Sequence, residues 1–335
     1  MTLTAHAPAP WASPLRAAAE VTVLSDTEAR SRTPIGPDEP YLEGHYPDFA
    51  VLPGVFLLES VQAAVRHLVH RARGPAVAAE LAAVRTIRFT AALRPGDVLD
   101  LRCEVTADGP GLLRVRAVCS AGTTEAARAT LEFRLVPALT LAPAAAAAAA
   151  GAGARDPASA VAAAAVAAGS VPTGALGCGE VRAAIPHRYP MMLVDRVLET
   201  DGHRRAVTEK AVSGSEPCYA GLPDGADSRA YAYPPSLLME SWGQGGAFLW
   251  MQRLRAEGLP RTGGLVLAAV RDVVIERPVF PGAVLRHEVR VDRYLDAGLI
   301  LSGTASSAGR TVATVGTAIA VMVPLDEVST AGGVA

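Results

Sequence analysis

Cysteine is scarce in this chain and badly spaced for chemistry. The four present, Cys103, Cys119, Cys178 and Cys218, form no CxxC pair and fall far short of a disulfide scaffold. That excludes a disulfide-stapled secreted module and a thiolate metal site, and it fits a reduced, cytoplasmic compartment. An excess of one charge is also missing: 31 Lys+Arg against 33 Asp+Glu leave a net charge of −2. The chain therefore carries no electrostatic footprint for nucleic acid or an anionic membrane. The N-terminal stretch MTLTAHAPAPWASPLRAAAE lacks a charged region followed by an unbroken apolar core, so residues 1–17 read as an irregular arm and not a signal peptide. The long apolar stretch at 138–175 is nearly all Ala, Gly, Pro, Ser and Val and is broken by Arg155-Asp156. It reads as a linker, since alanine contributes little transfer energy and Pro and Gly interrupt any span.

What is present is a chain half apolar over 335 residues, long enough for about two domains. A repeat flanks the linker. LRPGDVLDLRCEV alternates Leu99, Leu101, Cys103 and Val105 with Asp100, Arg102 and Glu104, and VFPGAVLRHEVRV does the same with Leu285, His287, Val289 and Val291. Gly96 and Gly282 stand 186 residues apart, and the alternating positions keep that offset. Both segments predict half-buried strands entered from a Pro-Gly turn. TLEFRLV (130–136) predicts another strand, and LILSGTAS and TVATVGTAIAVMV predict a hairpin closed at SAGR, 307–310. Each half also holds one apolar stretch too long for a strand, 55–70 and 236–257. Each predicts a helix apolar around most of its circumference, which a sheet must wrap. The expected domains are 18–137 and 176–326, with 327–335 as a flexible C-terminus. Glu59 and Glu240 occupy equivalent helix positions at an offset of 181, which places about five extra residues near GLPRTG in the second half.

GHYPDFAVLPGVFLLE (44–59) and IPHRYPMMLVDRVLE (185–199) resemble segments of the hotdog-fold β-hydroxyacyl-acyl-carrier-protein dehydratases of fatty acid and polyketide synthesis. In that family a His precedes a Pro-Gly pair and the central helix, an acid follows fourteen residues after the His, and each site pairs the His of one hotdog with the acid of another. The resemblance implies an α+β double hotdog with two antiparallel sheets, each wrapped around a long central helix. The halves depart from the pattern in complementary ways. Fourteen residues before Glu240 stands Ala226, so the second half has no histidine there. Glu240 keeps the family's ExxxQ pattern through Gln244, whereas Ala63 stands four residues after Glu59. One working site per chain is therefore expected, built from His45 and Glu240, with Glu59 structural or vestigial.

The resemblance also implies that the Val51 carbonyl orients the His45 ring, that the Gly54 N–H receives the thioester oxygen, and that Gln244 holds the Glu240 carboxyl. Pro53, Val55 and Tyr189 are implied to meet the substrate, which would be carried on an acyl carrier protein. No cofactor or metal is required. Helix N-termini favour developing negative charge, which gives the Gly54 assignment independent sense. A Glu rather than an Asp as the acid points to dehydration without double-bond migration. His187 is expected to be structural or to border the substrate tunnel. Gly243, Gly245 and Gly246 suggest close packing of the helix against its counterpart or an acyl chain, and His67 and His70 are not read as metal ligands. Arg85, Arg88, Arg261 and Arg271 could rim a carrier-binding surface or be ordinary solvated charges. An enoyl-coenzyme A hydratase of the same fold, a catalytically silent acyl-binding subunit and, less well matched, a thioesterase stay open. So does association of two fused chains into a homodimer.

Overall fold

Strands form where apolar residues recur at every second position, and the strands of both halves join into one sheet. The computed structural model describes residues 8, 10–16, 19–46, 50–139, 174–260 and 263–323. Most of the expected linker and all of the expected C-terminal tail lie outside the described residues. The first half contains β1 (Glu20–Val23), β2 (Glu28–Pro34), α1 (Leu57–Arg73), β3 (Val77–Phe89), β4 (Val98–Gly109), β5 (Leu112–Ala121) and β6 (Thr124–Pro137). The second contains α2 (Cys178–Ala184), β7 (Arg196–Thr200), β8 (Arg205–Ala211), α3 (Pro235–Ala256), β9 (Gly264–Ile275), β10 (Val284–Leu295), β11 (Gly298–Ser307) and β12 (Arg310–Val323).

The sheet order is β1-β2-β4-β5-β6-β3-β9-β12-β11-β10-β8-β7, so the two expected sheets meet edge to edge through an antiparallel β3–β9 pair. That seam sets Ile87 opposite Val270 and Val84 opposite Val273, all four buried. Joining there covers two edge strands that would otherwise present unpaired backbone groups.

The expected alternation holds on both equivalent strands. Leu99, Leu101 and Cys103 of β4, and Leu285, His287, Val289 and Val291 of β10, face the core. His287 is tolerated there because its Nε2 meets the Ser241 hydroxyl at 2.8 Å. Gly96 and Gly282 have φ of +95° and +94°. In each turn the residue after the glycine donates back across it, Asp97 to Arg94 O at 3.0 Å and Ala283 to Phe280 O at 3.1 Å. A Pro-Gly type II turn needs that positive φ. The predicted hairpin turn is Ala308-Gly309, both with positive φ, between β11 and β12.

The helices lie inside the curve of the sheet. α3 buries residues on every side, among them Leu237, Phe248 and Leu249. Burying each such side chain is worth roughly 1.5–3 kcal/mol. A Cβ on Gly245 would come 2.8 Å from Val289 Cγ2, and one on Gly246 would come 2.4 Å from Leu301 Cδ1. These two glycines therefore let α3 sit close to its own sheet, which corrects the expectation that they face the other helix or an acyl chain. Part of the five-residue difference lies in α3 itself, which runs to residue 256 against 254 expected from the end of α1 (73 + 181). The remainder falls in the loop before β9.

Candidate active site

At Gly44 the backbones of the two halves meet beside the candidate histidine. It ends a short 3-10 turn (Leu42–Gly44), and its carbonyl accepts from the Arg188 N–H at 2.9 Å. A Cβ on Gly44 would lie 2.1 Å from the Arg188 carbonyl oxygen, so only glycine allows this approach. His45 follows at once and is thereby fixed against the 185–191 segment of the other half. Its Nδ1 lies 2.6 Å from the Val51 carbonyl. A carbonyl can only accept, so Nδ1 carries the proton and Nε2 presents a lone pair. Tyr46, in the left-handed region at φ 57°, donates its hydroxyl to Leu265 O at 2.6 Å, a second tie between the halves.

Glu240 comes from the second turn of α3. Its Oε1 accepts from Gln244 Nε2 at 3.1 Å, one helical turn on. Gln244 is itself held by the Leu193 N–H (2.8 Å to Oε1) and the Met191 carbonyl (2.7 Å from Nε2). The His187 Nε2 stands 3.6 Å from Glu240 Oε1. One ligand atom from each of His45, His187 and Glu240 lies within 4.8 Å of the others.

These groups line a cavity of about 360 Å³ whose remaining wall is mostly apolar, including Leu52, Leu57, Phe89, Ala247 and Leu265. Burial sets the titration. Desolvation pushes the His45 imidazole down to about 4, against the opposing Val51 hydrogen bond. Desolvation pushes the Glu240 carboxyl up to about 7, against the opposing Gln244 hydrogen bond. His187 is driven well below the usual histidine range by burial first and then by His45 and Arg188. At pH 6–7 the cavity thus holds a neutral imidazole acceptor and a carboxyl able to carry a proton, the pairing that moves a proton from carbon to oxygen.

The structure brings His45, Val51, Gly54, Glu240 and Gln244 to this one cavity. Gly54 opens the helical stretch leading into α1, where first-turn N–H groups have no intrahelical partner. Pro53 and Val55 do not line the wall. Val55 is fully buried in the core, because one residue along a helix turns the side chain about a quarter-turn away from Gly54. Tyr189 is corrected too: it is 78% exposed and borders a different cavity, since the turn through Arg188 and Met191 swings it outward. His187, expected to be structural or to border the substrate tunnel, faces the cavity. Its pattern, PHRYP, was visible, but its proximity to a histidine 142 residues earlier was not. Gly243 also lines the cavity, with open space where a Cβ would stand.

The cavity around Glu59, about 770 Å³, is built differently. Glu59 accepts from Gln62 Nε2 at 2.9 Å and from Ser236 Oγ at 2.5 Å, so both its oxygens are engaged. Ala226 does not line this cavity, and the imidazole that does is His67, on the same helix as Glu59. Within the expected N-terminal arm, the described residues 10–16 form neither helix nor strand and are docked on the second half. Ala12 donates to Ala230 O and Ser13 to Cys218 O, both at 2.9 Å, and Trp11 packs under the Arg66 guanidinium at 4.4 Å. Of the arginines, Arg85 is ion-paired with Glu132 at 2.7 Å, and Arg261 lies outside the described residues.

Comparison with known proteins agrees with this architecture. The dehydratase domain of a mycocerosic acid synthase-like polyketide synthase superposes with a TM-score of 0.58 at 19% identity, covering 95% of this chain and all of that domain. The dehydratase domain of PpsC from Mycobacterium tuberculosis, solved with C12:1-CoA, gives 0.56 at 15% identity over 93% of this chain and all of that one. The fold is therefore a fused double hotdog. Residues 21–124 match the ApeI-like family, described as ApeI dehydratase. The 3-hydroxyacyl-[acyl-carrier-protein] dehydratase FabZ of Roseiflexus castenholzii is 38% identical over 121 residues, 35% of this chain and 77% of that protein. The FabZ of Symbiobacterium thermophilum is 38% identical over 109 residues, 32% of this chain and 70% of its own. The chain belongs to the FabZ-type dehydratase family and is a dehydratase.

Proposed function

We propose that the chain converts a (3R)-hydroxyacyl thioester, carried on an acyl carrier protein, to the trans-2-enoyl thioester and water, at one site formed by His45 and Glu240. The observation that carries this reading is the neutral imidazole and the near-neutral carboxyl converging from opposite halves on one apolar cavity. His45 Nε2 takes the C2 proton, the C2–H electrons form the C2–C3 double bond, and the C3–O bond breaks as Glu240 gives its proton to the departing hydroxyl. The imidazolium then returns its proton to the carboxylate, which restores both groups. The Gly54 N–H, at the helix start, polarises the thioester carbonyl as negative charge builds on its oxygen. Gln244, braced by Leu193 and Met191, keeps the carboxyl aimed at C3.

The carrier protein as donor follows from the relatives' own activity. The four free cysteines support a cytoplasmic setting, and no helix among the described residues is long and apolar enough to cross a membrane. Turnover of purified chain on 3-hydroxyacyl groups, each offered on carrier protein and on coenzyme A, tests the reading. Faster turnover on the carrier is expected, and a preference for hydrating enoyl-coenzyme A would favour the hydratase instead. Loss of turnover is expected for His45→Ala and Glu240→Gln. Absence of turnover in the unaltered chain would leave a silent acyl-binding subunit.

A further inference from the structure

Neither the cysteine spacing nor the half-buried pair His67 and His70 of α1 indicates a metal, yet the two buried histidines and the glutamate make a ligand set that zinc proteins use. We propose that His45, His187 and Glu240 form a binding site for a divalent transition-metal ion, zinc above all, which competes with the acyl thioester for the cavity.

The donor set comes first. Two imidazoles and one carboxylate, with the fourth position opening into a cavity, match a three-ligand zinc site that keeps one position free. The distances follow. Zinc bonds of about 2.0–2.1 Å in a tetrahedron place ligand atoms roughly 3.4 Å apart. His187 Nε2 and Glu240 Oε1 already stand at 3.6 Å, and the widest separation in the trio is no more than 4.8 Å. Closing that gap asks each side chain to move less than about 1 Å, which rotamer adjustment supplies.

The surroundings agree. His45 has its Nδ1 engaged by Val51 O, the second-shell contact that metal-bound histidines make, and this leaves Nε2 for the ion. Gln244 donates to Glu240 Oε1 and is itself anchored to Leu193 and Met191, so the carboxylate is held by a second shell as well. All three ligand residues are buried. Among the described residues no Arg or Lys lines the cavity, although the Arg188 charge is felt at His187. The halves contribute unequally: His45 comes from the first, and His187 and Glu240 from the second. A metal bound there would clasp the two halves together at the Gly44–Arg188 contact.

The test uses the full chain freed of metal with a chelator. Co²⁺ is titrated and followed by its visible four-coordinate absorption, and Zn²⁺ is titrated by calorimetry. One ion per chain is expected, with affinity falling at least about 10-fold in His187→Ala, as for loss of any supporting contact to a bound metal. His67→Ala, which removes an imidazole of the other cavity, should leave the titration unchanged. Circular dichroism checks that each variant is folded, and Glu240→Gln, which keeps the side-chain shape, gives a second loss of affinity should His187→Ala misfold. No saturable binding, binding by His187→Ala and Glu240→Gln as tight as by the unaltered chain, or loss of binding in His67→Ala overturns the proposal. The competitive consequence rests on the proposed function. Zn²⁺ should raise the apparent KM for a 3-hydroxyacyl thioester, reversed by chelator. An ion that binds without changing turnover would overturn that consequence alone, whereas turnover by the metal-free chain reports on the dehydratase reading independently.

Discussion

The two halves repeat one plan, and their two acids meet opposite fates. Glu240 keeps one oxygen on Gln244 and faces a cavity shared with His45 and His187. Glu59 has both oxygens engaged, by Gln62 and Ser236, in a cavity whose rim carries the docked N-terminal arm. The same residue type at the same helix position is thus a candidate proton donor in one half and a structural acceptor in the other. What differs is the supply of partners: a histidine arrives from the opposite half at Glu240, and a serine arrives at Glu59. Fusing unlike halves fixes that pairing, because a tethered partner does not depend on dilution.

The sharpest way to break this comparison is to remove one proton-handling group from each cavity. His45→Ala is expected to lower kcat on a 3-hydroxyacyl thioester by about 10²–10⁴-fold, the worth of general acid–base catalysis, while Glu59→Gln stays within about 2-fold. Equal losses in both would end the one-site reading. Activity should also fall as pH rises through about 7, where Glu240 loses its proton, and fall again toward about 4, where His45 gains one.

In Glu240→Gln, stability should move opposite to activity. The folded Glu240 carboxyl lies at about 7 against an ordinary 4.5, so the folded chain disfavours the ionised form. The stability tied to the protonated form is fully present below about 4.5 and is lost as pH rises toward about 7. Glu240→Gln removes that loss. Chemical denaturation at pH 8 should find the inactive variant more stable by up to ~3 kcal/mol, from 1.36 kcal/mol per pKa unit. An unstable Gln variant would mean that the carboxyl has a partner the structure does not give it.

The glycines of α3 sharpen the contrast between packing and cavity. Gly246→Ala, driving a Cβ into Leu301, should cost about 1–3 kcal/mol by overpacking. Gly243→Ala meets nothing within 4 Å and should gain up to ~1 kcal/mol from helix propensity. Because Gly243 lines the cavity, bulkier residues there should slow long acyl chains more than short ones, read as a KM series over chain length. A uniform effect across lengths would place Gly243 away from the acyl path.

Much of this was legible before folding. Alternation on β4 and β10, the paired Pro-Gly turns and the SAGR hairpin are local patterns, and each formed where expected. The fourteen-residue step from His45 to Glu59 was equally plain, and the missing partners, Ala226 and Ala63, pointed away from Glu59. Pro53, Val55 and Tyr189 were misplaced because lying near a motif in sequence does not say which way a side chain turns at a helix start or a tight loop. The place of His187 at the cavity was not legible because the His45 and Tyr46 rings it packs against come from the other half and Glu240 lies 53 residues further on.

The sequence by itself determined the repeat, the helix and strand content and the residue types able to carry protons, since these follow from periodicity and spacing along a single chain. Only the tertiary structure decided that His45, His187 and Glu240 share one cavity and that Glu240 holds its proton near neutrality. Burial and long-range proximity set those properties, and both arise only when the two halves close on each other.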